Sequence, residues 1–276
     1  MTNATKHLAI LGAGNIGTSI ANGLIQSEKF QPQQITLTRR RVHLLESFRE
    51  HGFQITKDNG DAVQNSDIIL LAVEPQQFDG LVNEIKPYLD AGRHIVISVV
   101  SGVKIKQILK QIGEHFPVVR AMPNTAIAIR ESMTALAASN GDDSMIQAAQ
   151  EIFDTVGKTI VINEEEMIGA TALGACGIAF FLRAIRAASQ GGIEIGFHSK
   201  DALLIAAQTA KGAASLLLNM EKHPEDEIDK VTTPRGCTIF GLNQMEHGGF
   251  SSAMIKGIIA SAEKASKLYS GADESD

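Results

Sequence analysis

The run His7-Leu8-Ala9-Ile10-Leu11 leads directly into Gly12-Ala13-Gly14-Asn15-Ile16-Gly17, and a helical spacing of apolar residues follows through Ile20, Leu24 and Ile25. A short apolar run of this kind suits a buried strand, and the glycines after it define a tight turn into a helix. In such a turn Gly12 permits the bend, Gly14 lets backbone N–H groups approach a pyrophosphate, and Gly17 lets the helix pack closely on the strand. Asn15 and Ile16 open the helix, whose N-terminus attracts phosphate charge. Glycine-rich turns also serve structure alone, so the motif takes its weight from its surroundings. A second strand, Gln34-Ile35-Thr36-Leu37-Thr38, follows at the separation expected of a dinucleotide-binding unit.

At the end of that second strand, NAD-specific proteins usually place Asp or Glu against the ribose hydroxyls. Here the chain reads Thr38-Arg39-Arg40-Arg41. Guanidinium groups make bidentate, charge-assisted hydrogen bonds to a 2'-phosphate, which NADPH carries and NADH lacks. NADPH is therefore the favoured cofactor and Arg39 the favoured contact; for any one of the three arginines the alternative is a solvated, basic start to the next helix.

Further strands are predicted over 66–73, 94–100 and 117–121, separated by helices over 76–89 and 104–112. Two more, 132–138 and 158–162, bracket a helix over 144–153. The alternation predicts an α/β fold, a doubly wound parallel sheet of Rossmann type occupying residues 1–163. Ligands of such sheets bind beyond the carboxyl ends of the strands. That rule places Ala72-Val73-Glu74-Pro75, Ser101-Gly102 and Met122-Pro123-Asn124-Thr125 along the cofactor crevice, although Pro75 and Pro123 also have a plain strand-ending role.

Composition narrows the partners. A formal net charge of -6 offers no basic footprint for nucleic acid, and without Trp and with two Tyr the chain lacks stacking platforms for single strands. The first residues lack the basic start and apolar run of a secretory signal, and no apolar run reads as a membrane span, so the expected location is cytoplasmic. Cys176 and Cys237 lack CxxC spacing and read as free thiols. His198, His223 and His247 lack paired-ligand spacing, so no metal site is expected.

From Glu164 the strand pattern gives way to small and apolar residues, which predicts an all-helical second domain over 164–276. Glu164, Glu165 and Glu166 complement the dipole of its first helix. The Ala-rich stretch 201–220 suits a helix buried on several sides, which in so small a domain points to oligomerisation. The segment Val231-Thr232-Thr233-Pro234-Arg235-Gly236-Cys237-Thr238-Ile239 crowds hydroxyls and a glycine at one helix start. Free N–H donors and threonine hydroxyls there suit a small carboxylate, and ordinary threonine capping suits the same residues.

Taken together these motifs resemble pyrroline-5-carboxylate reductase over nearly the full chain. The early part is carried by Gly12 to Gly17, Ser66 to Pro75 and Met122-Pro123-Asn124-Thr125. The more specific part is carried by Gln208-Thr209, Gly212-Ala213-Ala214, Glu221-Lys222-His223-Pro224, Val231 to Thr238, and Gly248-Gly249-Phe250. The resemblance implies NAD(P)H-dependent hydride transfer to the C=N bond of 1-pyrroline-5-carboxylate, giving L-proline, with NADPH preferred and NADH possible. It implies a homodimer through interleaved C-terminal helices, with further assembly into a ring such as a decamer, and active sites completed at the dimer interface.

For individual residues the resemblance implies a substrate carboxylate held by Thr233, Gly236, Cys237 and Thr238, with Thr238 and Glu221 near the ring nitrogen as the catalytic pair. It maps phosphate contacts onto Gly14, Asn15 and Ile16, the ribose-phosphate onto Thr38 and Arg39, and adenosine onto Asn59. Ala72, Val73 and Pro75 flank the nicotinamide ribose, and Asn124 lies in the same crevice.

Three stretches depart from the family pattern. The usual SGSGPAY reads Leu173-Gly174-Ala175-Cys176-Gly177-Ile178-Ala179-Phe180, the usual acidic residue is missing from Ser189-Gln190-Gly191-Gly192, and Arg235 replaces a glycine. These changes keep two alternatives open: an NADPH-dependent reductase of another cyclic imino acid or oxo acid, and a non-catalytic dinucleotide-binding sensor.

Overall fold

A computed structural model describes residues 6–139, 143–220 and 223–270. The chain begins β1 (Leu8–Leu11), α1 (Asn15–Gln26), β2 (Ile35–Thr38), α2 (Glu46–Glu50), β3 (Gln54–Thr56), α3 (Asn59–Gln64), β4 (Ile68–Leu71) and α4 (Pro75–Ile85). It continues β5 (Ile95–Ser98), α5 (Ile105–Ile112), β6 (Val118–Met122), β7 (Ser132–Ala138), α6 (Asp143–Phe153) and β8 (Gly157–Val161). The strands form one sheet in the order β3-β2-β1-β4-β5-β6-β7-β8, whose first six positions follow the doubly wound dinucleotide-binding order.

Why the central strands read as unbroken apolar runs is visible in their packing. Leu8 and Ile10 of β1 face one hydrophobic core while Ala9 and Leu11 face a second on the other side of the sheet; Ile68 and Leu70 of β4 divide from Ile69 and Leu71 in the same way. A parallel sheet covered by helices on both faces has no solvent side, so alternation disappears.

Every neighbouring pair is parallel except β6 and β7, which run antiparallel. The all-parallel expectation is corrected there. The connection between those two strands holds only the 3-10 turn Thr125–Ile129, too little chain for the crossover that a parallel pair requires. Another difference is β3, short, partly polar and at the sheet edge, which alternation of apolar residues does not reveal.

Beyond β8 the chain is helical: α7 (Met167–Ala170), a π-helical stretch (Thr171–Cys176), α8 (Gly177–Glu194), α9 (Ser199–Met220), α10 (Pro224–Val231), α11 (Cys237–His247) and α12 (Phe250–Ser270). The chain divides into two compact units, one running to Ala175 and taking in the chain from Ala262 on, the other Cys176–Ser261. Met167 is fully buried in the second core of the sheet unit. Glu164 accepts from the Ile105 N–H at 2.7 Å and pairs with the buried Arg120 of β6 at 3.3 Å. That contact anchors the start of the helical stretch to the sheet, a structural role beyond dipole complementation.

In the helical unit α8 ends in a Schellman motif, with Phe197 N–H donating to the Gly192 carbonyl and Gly196 N–H to that of Ile193. Gly192 also lets α8 and α9 approach closely, since a Cβ there would stand 3.0 Å from that of Ala202. The continuous helical run Glu164–Glu194 is long and apolar enough to cross a membrane by length and composition alone.

Candidate active site

Register in the sheet sets the first half of the site. Leu11 lies level with Thr38 on one side and Leu71 on the other, and Thr38 is level with Thr56. Gly12, Arg39, Lys57 and Ala72 therefore leave the sheet along one edge, its carboxyl end.

Gly12 has φ +90°, and a Cβ on it would lie 2.5 Å from Val73 Cγ1. A Cβ on Gly17 would meet Ile10 Cγ2 at 2.9 Å, so this glycine seats α1 on β1. Gly14 differs: its nearest neighbour would be the Gly12 carbonyl oxygen at 3.9 Å. The space before Gly14 is clear of protein, and α1 starts there with no side-chain cap and no acidic residue in its first turn. Open N–H donors beside an unobstructed glycine fit a dinucleotide pyrophosphate.

A cavity of about 850 Å³ opens from this turn. Of the sequence-predicted cofactor residues it brings together Gly12, Gly14, Thr38, Arg39, Asn59, Ala72 and Val73. Asn15, Ile16 and Gly17 form the first turn of α1, outside the lining, and Pro75 is the first residue of α4, next to the lining residue Glu74. Asn124 also stands apart from the lining. Its Oδ1 accepts from Ala126 N–H at 3.0 Å, and its Nδ2 donates to the Gly174 carbonyl at 3.3 Å, tying the 3-10 turn to the π-helical stretch.

Arg40, Arg41 and Lys57 join Arg39 in the lining, as do Gln77 and Glu84 of α4. Lys57 follows β3, and with that strand unrecognised nothing in the sequence brings the lysine to the arginines; only adjacency flags Arg40 and Arg41.

Thr38, 2% exposed, is the hub of the wall. Its carbonyl accepts from the N–H groups of Gly12 and Ala13 at 3.2 and 2.8 Å. Its hydroxyl accepts from Gly12 N–H at 3.3 Å and donates to Asn59 Oδ1 at 2.6 Å. Asn59 Nδ2 in turn donates to both carboxylate oxygens of Glu84 at 3.1 Å.

Perturbed titrations lie at the other end of the strands. Burial raises the Asp67 carboxyl, but hydrogen bonds from His7 N–H and Arg93 outweigh it and leave the pKa lowered. Burial lowers that of His94, helped by Arg93 and opposed by Asp90 and Asp67. Both precede strands, β4 and β5, and so stand at the amino edge of the sheet, structural rather than catalytic in position.

In the helical unit, Gly236 N–H donates to the Thr233 carbonyl at 2.9 Å, closing the turn Thr233-Pro234-Arg235-Gly236. Arg235 has φ +63°, the position a type II turn usually gives to glycine, at a cost of roughly 1–2 kcal/mol for a residue with a Cβ. Gly236 is the N-cap of α11 and provides no side-chain cap. Of the threonines, Thr232 serves α10, donating to the carbonyls of Ile228 and Asp229. Thr233, Cys237 and Thr238 are exposed around the open helix start, an arrangement able to receive a small carboxylate. Glu221 lies outside the described residues. Among the described residues no group of His, Cys, Asp or Glu is arranged to hold a metal, and both cysteines are free.

A doubly wound sheet with an open glycine turn, followed along the chain by a helical unit, defines a dinucleotide-dependent oxidoreductase. Comparison with known proteins sharpens that class. Residues 164–268 match the model for pyrroline-5-carboxylate reductase dimerisation, and residues 7–102 that for the coenzyme F420-dependent NADP oxidoreductases. The chain is 52% identical to pyrroline-5-carboxylate reductase 1 of Dictyostelium discoideum over 95% of its own length and 50% of that protein's. It is 48% identical to pyrroline-5-carboxylate reductase 2 of the same organism, over 95% of its own length and 93% of the relative's. The solved structure of a pyrroline-5-carboxylate reductase from Coxiella burnetii superposes with a TM-score of 0.91 at 30% identity, covering 96% of this chain and 99% of the other. The chain belongs to the pyrroline-5-carboxylate reductase family. It thus spans half the length of the first relative and nearly all of the second.

Proposed function

We infer that this chain is a pyrroline-5-carboxylate reductase, forming L-proline from 1-pyrroline-5-carboxylate in proline biosynthesis with NADPH as the hydride donor. The observation that carries the substrate side is the open start of α11, preceded by a threonine-bearing turn and free of a side-chain cap. When bound, the nicotinamide would supply a hydride to the ring carbon of the C=N bond, on the far side of the nitrogen from the carboxylate-bearing carbon, and the electron pair of that bond would pass to the nitrogen.

The protein's part is to hold and to protonate. The N–H groups of Cys237 and Thr238, with the Thr233 hydroxyl, hold the substrate carboxylate; Gly236, whose own N–H closes the turn, serves as the N-cap without a side chain, and Arg235 adds positive charge to the same turn. The Thr238 hydroxyl, with Glu221, serves the ring nitrogen, where a proton makes the imine electrophilic before transfer or completes the amine after it. Orientation supplies much of the rate, since a clamped carboxylate leaves the ring few alternatives. On the cofactor side Gly14, Asn15 and Ile16 serve the pyrophosphate, and Thr38 with Arg39, supported by Arg40, Arg41 and Lys57, serves the 2'-phosphate. Asn59 serves the adenosine, and Ala72, Val73, Pro75 and Asn124 the nicotinamide end.

In this reading residues 1–163 bind the cofactor, and 164–276 bind substrate and join two copies into a dimer that assembles further into a ring. Its place is the cytoplasm. The altered segment 173–180 favours one second reading, a related cyclic imino acid as substrate. Initial rates with NADPH on pyrroline-5-carboxylate, pyrroline-2-carboxylate and the piperideine carboxylates separate the two. We expect the highest kcat/KM on the first, and no turnover of it would sink the assignment.

A further inference from the structure

Opposite charges line the cofactor cavity. Arg39, Arg40, Arg41 and Lys57 bring cations from the ends of β2 and β3, while Glu84 brings a carboxylate from the last turn of α4. Both of its oxygens lie 3.1 Å from Asn59 Nδ2. A carboxylate only accepts hydrogen bonds, so Glu84 decides which way the Asn59 amide faces. The Asn59 Oδ1 is thereby turned to Thr38, whose hydroxyl donates to it at 2.6 Å while accepting from Gly12 N–H at 3.3 Å. One relay with a defined direction runs from α4 to the glycine turn.

We propose that Glu84 is a specificity-determining residue of this site, admitting NADH beside NADPH by opposing the arginine and lysine charges; the inference rests on the dinucleotide-dependent reading above. The two cofactors differ at the adenosine 2' position alone, a phosphate in one and a hydroxyl in the other. Cations favour the phosphate. A carboxylate repels it, and accepts a hydrogen bond from the hydroxyl. The acid that NAD-binding proteins usually carry at the end of β2 is absent from that place, and α4 supplies one to the same cavity instead. Glu84 also engages the Asn59 amide hydrogens, withdrawing a neutral donor from the phosphate.

Glu84→Gln removes the charge while keeping the side chain's shape and an oxygen able to accept from Asn59. Dissociation constants for NADPH and NADH, read by nucleotide fluorescence on the substrate-free protein, are compared with kcat/KM for each cofactor. In the variant NADPH is expected to bind about three- to tenfold more tightly while NADH binds no better, and added salt shrinks the difference. Glu84→Asp keeps the charge and is expected to hold the NADPH-to-NADH ratio within about twofold of the parent. Equal shifts for both cofactors in Glu84→Gln, or an unchanged ratio, would overturn the proposal while leaving the reductase reading intact. A parent protein that binds neither nucleotide would overturn both.

Discussion

Thr38 and Thr238 illustrate what a single residue can and cannot reveal about itself. Both are threonines beside a glycine-bearing turn, but Thr38 is buried and committed to Gly12 and Asn59, whereas Thr238 stands exposed in the first turn of α11. A committed hydroxyl shapes a wall; an open one is available to a ligand. Thr238→Ala is therefore expected to lower kcat/KM for the imine about 10- to 100-fold, the loss of one hydrogen bond to a charged group. NADPH affinity, titrated on the same preparation, should stay close to the parent value, and its collapse would move Thr238 to the cofactor side. The arginines were legible as a cationic run directly after a strand. Lys57 and Glu84 were not, because each reaches the cavity from an element whose position depends on the assembled sheet and not on neighbours in sequence.

At the scale of elements the strand–turn–helix unit is the most legible part, because its constraints are local. Strand, bend and helix start are consecutive, and each glycine answers a separate steric demand. Those demands differ enough to test. Gly12→Ala should lower Tm by several degrees, since a Cβ there combines positive φ with a 2.5 Å approach to Val73, an overpacking cost of about 1–3 kcal/mol. Gly14→Val should leave Tm nearly unchanged, because a Cβ there meets nothing nearer than the Gly12 carbonyl oxygen at 3.9 Å, yet weaken NADPH binding by about tenfold or more. The reverse pattern, a folding defect at Gly14 and a pure binding defect at Gly12, would contradict the assignment of the turn. The orientation of β7 was less legible. Strand periodicity carries no sign of direction, and here the direction follows from a connection too short to cross over.

The whole molecule poses a question about surface. In the helical unit Leu204, Leu218 and Phe240 are 68%, 79% and 69% exposed, and Ala202 is the one buried residue among the described side chains of α9. So much apolar surface is not stable against water in a single copy, and the dimerisation model matches these same residues. Replacing Leu204 and Phe240 by Glu is expected to shift sedimentation from dimer or larger toward monomer and to lower Tm. A parent protein that sediments as a monomer at micromolar concentration would refute the oligomeric reading.

The sequence by itself determined the α/β class, the glycine turn, the cationic end of β2 and the helical second half. Each of these is encoded in residues close together along the chain, where backbone sterics and apolar periodicity act. Tertiary structure alone decided the antiparallel β7, the edge strand β3, and the gathering of Lys57 and Glu84 with the arginines into the lining of one cavity. Those depend on which strand lies next to which, and strand order is settled by burying two apolar faces at once, a condition no short stretch of sequence contains.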